Sequence, residues 1–381
     1  MTQDKPLCYA PFIGMYATGY EQYAPCCVAK KDRYKNLDPA DYWQSKQLQN
    51  IRKDLLNGKW PDVCSFCKNK SEKGLKNETW IWDQRISKVD AELDIQYGNT
   101  TKGPIFLDYR PSNLCNLKCR MCVPNASSQI TEEFQENPDM QKWFKAPEKI
   151  VKNFDLFKNF SNSINLKQIK ILGGEPTLDP LVLDFLEGII DNYETLPELR
   201  FTTNGTNLNS RFRNIMKKFD NIHIVFSIDA VGSAYEYIRT NASWKKTKKI
   251  VEEVFENDMA KLYGFNIVLM PYNIFHLTDL LDWFKELQDK NYEFETLYDL
   301  SETHTTEMSS VLPDHMSMAI QSLRDWSLKN NYNVDDILEL LESVTFDEEA
   351  FDNFRDYNNS LDIIRNTSLI TLDKRFASYG K

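Results

Sequence analysis

Between residues 104 and 300 the chain alternates short runs of β-branched and aromatic residues with longer stretches whose apolar positions recur at helical spacing. The short runs are Ile105–Tyr109, Gln168–Leu172, Leu199–Thr203, His223–Ile228, Tyr263–Met270 and Phe294–Leu300. The amphipathic stretches include Leu181–Asn192, Trp244–Asn257 and Phe275–Leu287. This alternation predicts βα units on a parallel sheet. Six units are too few to close an eight-stranded ring, so the expected fold is α/β, a partial (β/α)6 TIM-like barrel. Substrate, the N-terminal region or the tail would have to fill its lateral gap. In barrels of parallel strands the chemistry sits on loops that follow the carboxyl ends of the strands.

The flanks read differently. Residues 1–103 are rich in cysteine, tyrosine and tryptophan and offer one convincing helix, around Asp41 to Asn57, so they are expected to form a metal-stapled accessory module. Residues 301–381 are acidic, with helical patterns over Met316–Lys329, Val334–Val344 and Phe346–Tyr357, and are expected to form a C-terminal helical cap. The expected organisation is therefore 1–103, 104–300 and 301–381.

Composition narrows the function classes. With 41% hydrophobic and 27% charged residues the chain can bury a core and is not of the disordered class. A net charge of −10 argues against a broad basic surface, so no nucleic-acid partner is expected. The pairs Lys245-Lys246 and Lys248-Lys249 read as a solvated helix face. No run approaches the roughly 18 apolar residues of a membrane span, so no membrane partner is expected. Met1 to Cys8, carrying Asp4 and Lys5 with no apolar run behind them, does not read as a signal peptide, and the cytoplasm is the expected location.

Candidate chemistry begins with cysteine. Cys8, Cys26, Cys27, Cys64, Cys67, Cys115, Cys119 and Cys122 all lie in the first third of the chain. Clustering of this kind in a larger cytosolic protein points to metal or catalysis more than to disulfides. Cys115, Cys119 and Cys122 stand in a C-x3-C-x2-C loop directly after the first strand. A cubane cluster ordinarily takes four thiolates, so three on one loop leave one iron open. Zinc is the competing reading of the spacing alone.

Further motifs fall at the ends of later strands. The second runs into Leu172-Gly173-Gly174-Glu175-Pro176, where two glycines allow close backbone approach and the carboxylate can accept from an ammonium; a tight turn is the plainer reading. The third ends in Thr202-Thr203-Asn204-Gly205-Thr206 and the fourth in Ser227-Ile228-Asp229-Ala230, with Arg239 twelve residues after Ser227. Asn204 and Asp229 could serve ribose hydroxyls or cap the next helix. Arg239 could pair with a carboxylate, or be an ordinary helix residue. Val268, Leu269 and Met270 could wall an adenine or be core. His223, His276, His304 and His315 are scattered without a metal pair, and Trp80 and Trp82 read as packing for the N-terminal module.

Taken in this order, Cys115, Cys119 and Cys122, then Gly173-Gly174-Glu175-Pro176, then Ser227 and Arg239 resemble the radical SAM superfamily over residues 104–300. The resemblance implies an oxygen-sensitive [4Fe–4S] cluster on the three cysteines. It also implies S-adenosylmethionine on the open iron, held through Gly173, Gly174, Glu175, Pro176, Asn204, Ser227, Asp229 and Arg239. Two departures stand out. Met121 replaces the usual aromatic before the last cysteine, a soft apolar substitute, and Leu172 replaces a polar residue found in some relatives before the Gly-Gly pair. The order Cys8, Pro25-Cys26-Cys27 and Cys64-x2-Cys67 resembles the SPASM or twitch cluster domains of peptide maturases, here placed first instead of last. It implies a second [4Fe–4S] cluster on Cys8, Cys26, Cys64 and Cys67, with Cys27 a substitute for Cys26 and zinc on Cys64 and Cys67 the rival.

The activity implied is reductive cleavage of S-adenosylmethionine to a 5′-deoxyadenosyl radical that abstracts hydrogen from substrate. A reductase such as flavodoxin or ferredoxin would be the partner. A peptide or protein substrate follows from the accessory module, a small molecule (sugar, nucleoside or amino acid) is the second reading, and a non-catalytic iron–sulfur or zinc module the third.

Overall fold

A computed structural model describes residues 6–19, 22–29, 34–35, 39–74, 77–87, 103–147 and 166–379. The expectation drawn from Asp4 and Lys5 falls outside the described residues. Along the chain come strands β1 (Gly14–Thr18), β2 (Gln22–Ala24) and β3 (Tyr34–Lys35), then helices α1 (Lys46–Leu56), α2 (Ser65–Glu72) and α3 (Thr79–Ser87). β4 (Phe106–Arg110), α4 (Ser128–Glu136), β5 (Gln168–Ile171), α5 (Pro180–Asn192), β6 (Glu198–Thr203) and α6 (Ser210–Met216) follow. β7 (Ile222–Ser227), α7 (Gly232–Ile238), α8 (Trp244–Glu256), β8 (Leu262–Leu269), α9 (Leu277–Asp289) and β9 (Glu295–Leu300) complete the alternation. α10 (Pro313–Asn330), α11 (Asp335–Glu342) and α12 (Glu348–Arg365) follow, before a short helical turn at Leu369–Leu372. No helix among the described residues is long and apolar enough to cross a membrane.

The fold is α/β, as the alternation predicts, and its contacts divide it into two compact units. One comprises Met1–Asn113, Ile150–Phe201 and Ser210–Ile222; the other comprises Leu114–Lys149, Thr202–Asn209 and His223–Lys381. In the first unit β4, β5 and β6 pair in parallel, with Asp108 opposite Lys170 and Lys170 opposite Arg200. Strand periodicity sends alternate side chains to opposite faces. Leu107, Tyr109, Ile169, Ile171, Leu199 and Phe201 are all buried. Tyr109 packs on Phe185 of α5 at 4.6 Å and Phe201 on Phe212 of α6 at 4.9 Å. The other face carries Asp108, Arg110, Lys170 and Arg200, and Arg110 closes on Asp108 with bonds of 2.9 and 3.1 Å. α5 starts where it does because Asp179 accepts from the Leu181 N–H at 2.9 Å and Pro180, lacking an N–H, sits at the first helical position.

The N-terminal region departs from the sequence reading. β1 pairs in parallel with β4, Gly14 opposite Phe106, so the parallel set has one member more than the periodicity revealed. All five β1 positions are buried, so no polar alternation marks the strand. This region also holds α2 and α3 beside the expected helix. In α2 only Cys67 is buried, which leaves no apolar stripe to read, and in α3 the apolar residues Trp80, Ile81 and Trp82 are consecutive. Trp82 packs edge-on to Phe106 of β4, beyond residue 103, at 6.4 Å.

In the second unit β8 pairs in parallel with β7 and with β9, in register His223–Leu262 and Gly264–Glu295. Its core is aromatic. Phe265, 1% exposed, meets Phe226, Phe255, Trp283, Phe284 and Phe294 at centroid distances of 4.8 to 6.3 Å. Among the described residues β3 pairs only with β2 and β9 only with β8, so neither strand closes a ring.

Candidate functional site

In the second unit the three-cysteine loop is fixed at several points by the backbone around it. Cys115 N donates to Ser128 Oγ and Cys115 O accepts from the same hydroxyl, both at 3.2 Å. Ser127 caps α4, accepting from Ile130 N, and its hydroxyl donates to Leu117 O at 2.8 Å. Lys118–Cys119 pairs antiparallel with Arg239–Thr240, and Cys122 N donates to Cys119 O at 3.1 Å. The loop is thereby shaped by its own chain, with Cys119 buried and Cys115 and Cys122 half-buried.

Among the described residues none of the three is in a disulfide. Burial pushes the Cys122 thiol up to about 12, with Cys119 beside it adding to the shift. Burial also raises Cys119, and the Arg239 guanidinium opposes that rise. Such thiols stay protonated until a cation takes the proton's place. Three deprotonatable sulfurs on one shaped loop, Cys115 receiving the Leu117 N–H at 3.5 Å and Cys119 a side-chain N–H, are a donor set that fits an iron–sulfur cluster with one iron left open.

Arg239 is the group that delivers the side-chain N–H. Its Nη1 lies 3.8 Å from Cys119 Sγ and its Nη2 2.7 Å from Asp229 Oδ2, with both residues of the ion pair buried. Burial raises the Asp229 carboxyl, and Arg239 and the Val268 N–H pull it back only in part. Asp229 Oδ1 accepts from Val268 N at 2.9 Å, and Asn273 Nδ2 donates to Asp229 O at 2.9 Å. The structure thus brings together Cys119, Asp229 and Arg239, three residues singled out from sequence.

Asn204 enters the same unit from the end of β6. Its Nδ2 donates to Asn116 Oδ1 at 2.9 Å, and its Oδ1 accepts from Thr206 N and Thr206 Oγ1 at 3.0 and 2.6 Å. Asn116 donates back to Thr206 Oγ1 at 2.8 Å. Asn204 therefore organises its own turn and also grips the cysteine loop between Cys115 and Cys119. Gly205 completes this turn at φ +69°, a left-handed conformation that favours glycine. Ser227, at the carboxyl end of β7, is half-buried.

Gly173, Gly174, Glu175 and Pro176 belong to the first unit. Gly173 has φ +139°, and a Cβ there would lie 2.9 Å from Ser112 O, so only glycine follows this path without strain. Gly174 N donates to the same Ser112 carbonyl at 3.3 Å. Glu175 is buried, and its Oε1 accepts from Thr177 N at 3.2 Å and Thr177 Oγ1 at 2.7 Å. Pro176 opens the short 3-10 turn that follows.

The first unit also holds a small cavity whose walls include Cys8, Cys26, Cys64, Cys67, Phe66 and Trp82. Cys27 is not part of its lining. Burial pushes Cys8 and Cys64 up to about 12 and raises Cys26 and Cys67, with neighbouring thiols adding to each shift. Cys27 is one of those neighbours, adding to the rise of Cys26 and of Cys67. After burial, the largest influences on it are Asp108, which raises it, and Arg110 and Lys170, which lower it. Among the described residues no three His, Cys, Asp or Glu side chains converge as they would on a single metal ion.

Sequence reasoning missed Asn116 and Arg120, although both stand inside the cysteine motif, and it missed Glu133, Asp362 and Arg365, which no local pattern marks.

Residues 109–284 match the Radical SAM superfamily. Among solved structures the chain is similar to native anSMEcpe with bound AdoMet, at 17% identity and a TM-score of 0.43 over 61% of this chain and 63% of that one. It is also similar to Streptococcus suis SuiB bound to precursor peptide SuiA, at 14% identity and a TM-score of 0.39 over 85% and 70%. A third likeness is to TYW1 with a lysine-pyruvate adduct bound, at 14% identity and a TM-score of 0.30 over 70% and 89%. The chain spans less than two thirds of the length of the anSMEcpe structures it matches. No curated protein matches it.

Proposed function

We propose that the chain, whose residues 109–284 match the Radical SAM superfamily, binds S-adenosylmethionine on a [4Fe–4S] cluster held by Cys115, Cys119 and Cys122 and abstracts hydrogen from a peptide or protein substrate. When bound, the cluster supplies the electron that cleaves the cofactor to methionine and a 5′-deoxyadenosyl radical. The observation that carries the proposal is the contact of Arg239 with Cys119 Sγ inside a loop that presents three thiols outside any disulfide.

These roles are assigned to the chain's own residues. Arg239, locked by Asp229, directs a charged N–H at Cys119 Sγ and favours its thiolate form. Asn204 and Asn116 hold the front of the loop. The turn at Gly173 and Gly174, with Glu175 and Pro176, keeps a side-chain-free stretch of backbone suited to the amino group of the cofactor. Ser227 at the end of β7 is assigned to the ribose. The peptide reading is supported by the resemblance of residues 1–103 to accessory modules of peptide maturases, with 104–300 as the radical domain and 301–381 as the cap. A flavodoxin or ferredoxin in a reducing cytoplasm would supply the electron.

The test is anaerobic incubation of reconstituted protein with dithionite and S-adenosylmethionine. 5′-Deoxyadenosine is expected from the wild type and not from Cys119→Ala. Equal yields from the two proteins would sink the proposal.

The second metal site is proposed on Cys8, Cys26, Cys64 and Cys67, supported by their common place around one cavity. Cys26→Ala should lower bound iron from about eight to about four atoms per chain, while Cys27→Ala should leave it near eight. Equal iron losses in both variants, or zinc in place of iron, would overturn this assignment.

A further inference from the structure

Arg120 stands between two of the cluster cysteines and is fully buried, although nothing in the proposed chemistry uses it. A buried guanidinium is tolerated only where its donors are met. Here Nε donates to Tyr237 O at 3.0 Å, Nη1 to Asn358 Oδ1 at 2.9 Å, and Nη2 to Asp362 Oδ1 and Thr367 Oγ1, both at 2.7 Å. The guanidinium also lies 3.6 Å from the centre of the Tyr237 ring. Its own backbone is pinned as well, because Arg120 N donates to Ile238 O at 2.9 Å and Arg120 O accepts from Tyr357 OH at 3.4 Å.

Three of these partners, Tyr357, Asn358 and Asp362, belong to α12, and Thr367 follows it. Asp362 is itself held by Tyr237 OH at 3.0 Å and by Leu369 N at 2.8 Å, so it is an anchored acceptor and not a swinging one. A second tie runs alongside. Arg365, the last residue of α12, forks onto both oxygens of buried Glu133 at 3.1 and 2.6 Å, and Glu133 also meets Lys118, next to Cys119, at 3.4 Å. Cys122 packs against the core cluster that contains Tyr357 and Leu361 of α12.

We infer that Arg120 is a positioning residue for the metal site, clamping the segment from Cys119 to Cys122 to the C-terminal helix α12 so that the thiols are held in place before any metal arrives. The inference rests on the cluster assignment of Cys115, Cys119 and Cys122. The planar fork is what the site requires, because a lysine ammonium at the same place could not span Tyr237 O, Asn358, Asp362 and Thr367 together. Groups that orient metal ligands typically govern affinity by about 10- to 100-fold.

Two measurements on Arg120→Lys and on the milder Asp362→Asn test the clamp, with Phe265→Ala as a control that lowers stability in the aromatic core without touching it. In metal-free protein, alkylation of Cys119 and Cys122 should be about 10-fold faster or more in both clamp variants than in the wild type, because local opening governs access to buried thiols. In reconstituted protein, iron should pass to a chelator about 10- to 100-fold faster in the clamp variants, and at the wild-type rate in Phe265→Ala. Unchanged alkylation and iron loss in the clamp variants, or equal acceleration in the control, would overturn the inference. If the clamp variants expose the thiols but the wild type makes no 5′-deoxyadenosine, the clamp stands and the radical reading alone fails.

Discussion

Arg239→Met is expected to destabilise the metal-free chain at pH 7 by about 3–5 kcal/mol, because it strands the Asp229 carboxylate, 1% exposed, without the buried guanidinium that pairs with it. The expected pH dependence identifies the cause. Burial already sets the folded-state carboxyl of Asp229 above its ordinary value, against the pull of Arg239. A carboxyl raised in the folded state favours folding below its unfolded pKa of about 3.9 and loses that contribution as pH climbs through the folded value. Removing Arg239 takes away the main opposing influence and raises Asp229 further. The gap between wild type and variant should therefore be small near pH 4 and should widen towards pH 7. Urea unfolding of both proteins across that range measures it. Asp229→Asn placed in the Arg239→Met background should recover most of the loss at pH 7, and a pH-independent gap would refute the account.

Phe265→Ala provides the apolar counterpart. It removes a ring in contact with five other aromatic side chains, and a core truncation of this kind is expected to reduce stability by about 3–5 kcal/mol. Phe265→Leu, which keeps much of the volume, should cost less than about 1.5 kcal/mol. Neither loss should vary between pH 4 and pH 7, since the neighbours are rings and not charges. A loss below about 1 kcal/mol for the alanine variant would show that the cluster repacks around the gap.

The contrast between these two residues also shows how much could be read along the chain. Phe265 lies in a run of strand-forming residues, and its burial follows from that run alone. Arg239 was legible as a residue with an expected carboxylate partner, but its actual partners are the side chains of Asp229, on the preceding strand end, and Cys119, 120 positions away. Glu175 was likewise legible as a carboxylate at a strand end, while its burial and the bond of one of its oxygens to Thr177 come from the fold. β1 escaped notice because a strand buried at every position carries no alternation to detect.

The sequence by itself determined the alternation of strands and helices from residue 104 to residue 300, the glycine path at Gly173, and the spacing of the three-thiol loop. These are local properties, set by side-chain periodicity, backbone freedom and the spacing of a single short segment. Tertiary structure alone decided which neighbouring cysteine lines the N-terminal cavity, Cys26 and not Cys27. It also decided that Arg239 faces a thiol and that Arg120 is held by Asp362, 242 residues further on. Such pairings depend on where the packing of whole helices and strands brings distant positions together. A buried charge then takes the partner that packing provides, and no local pattern records which one that will be.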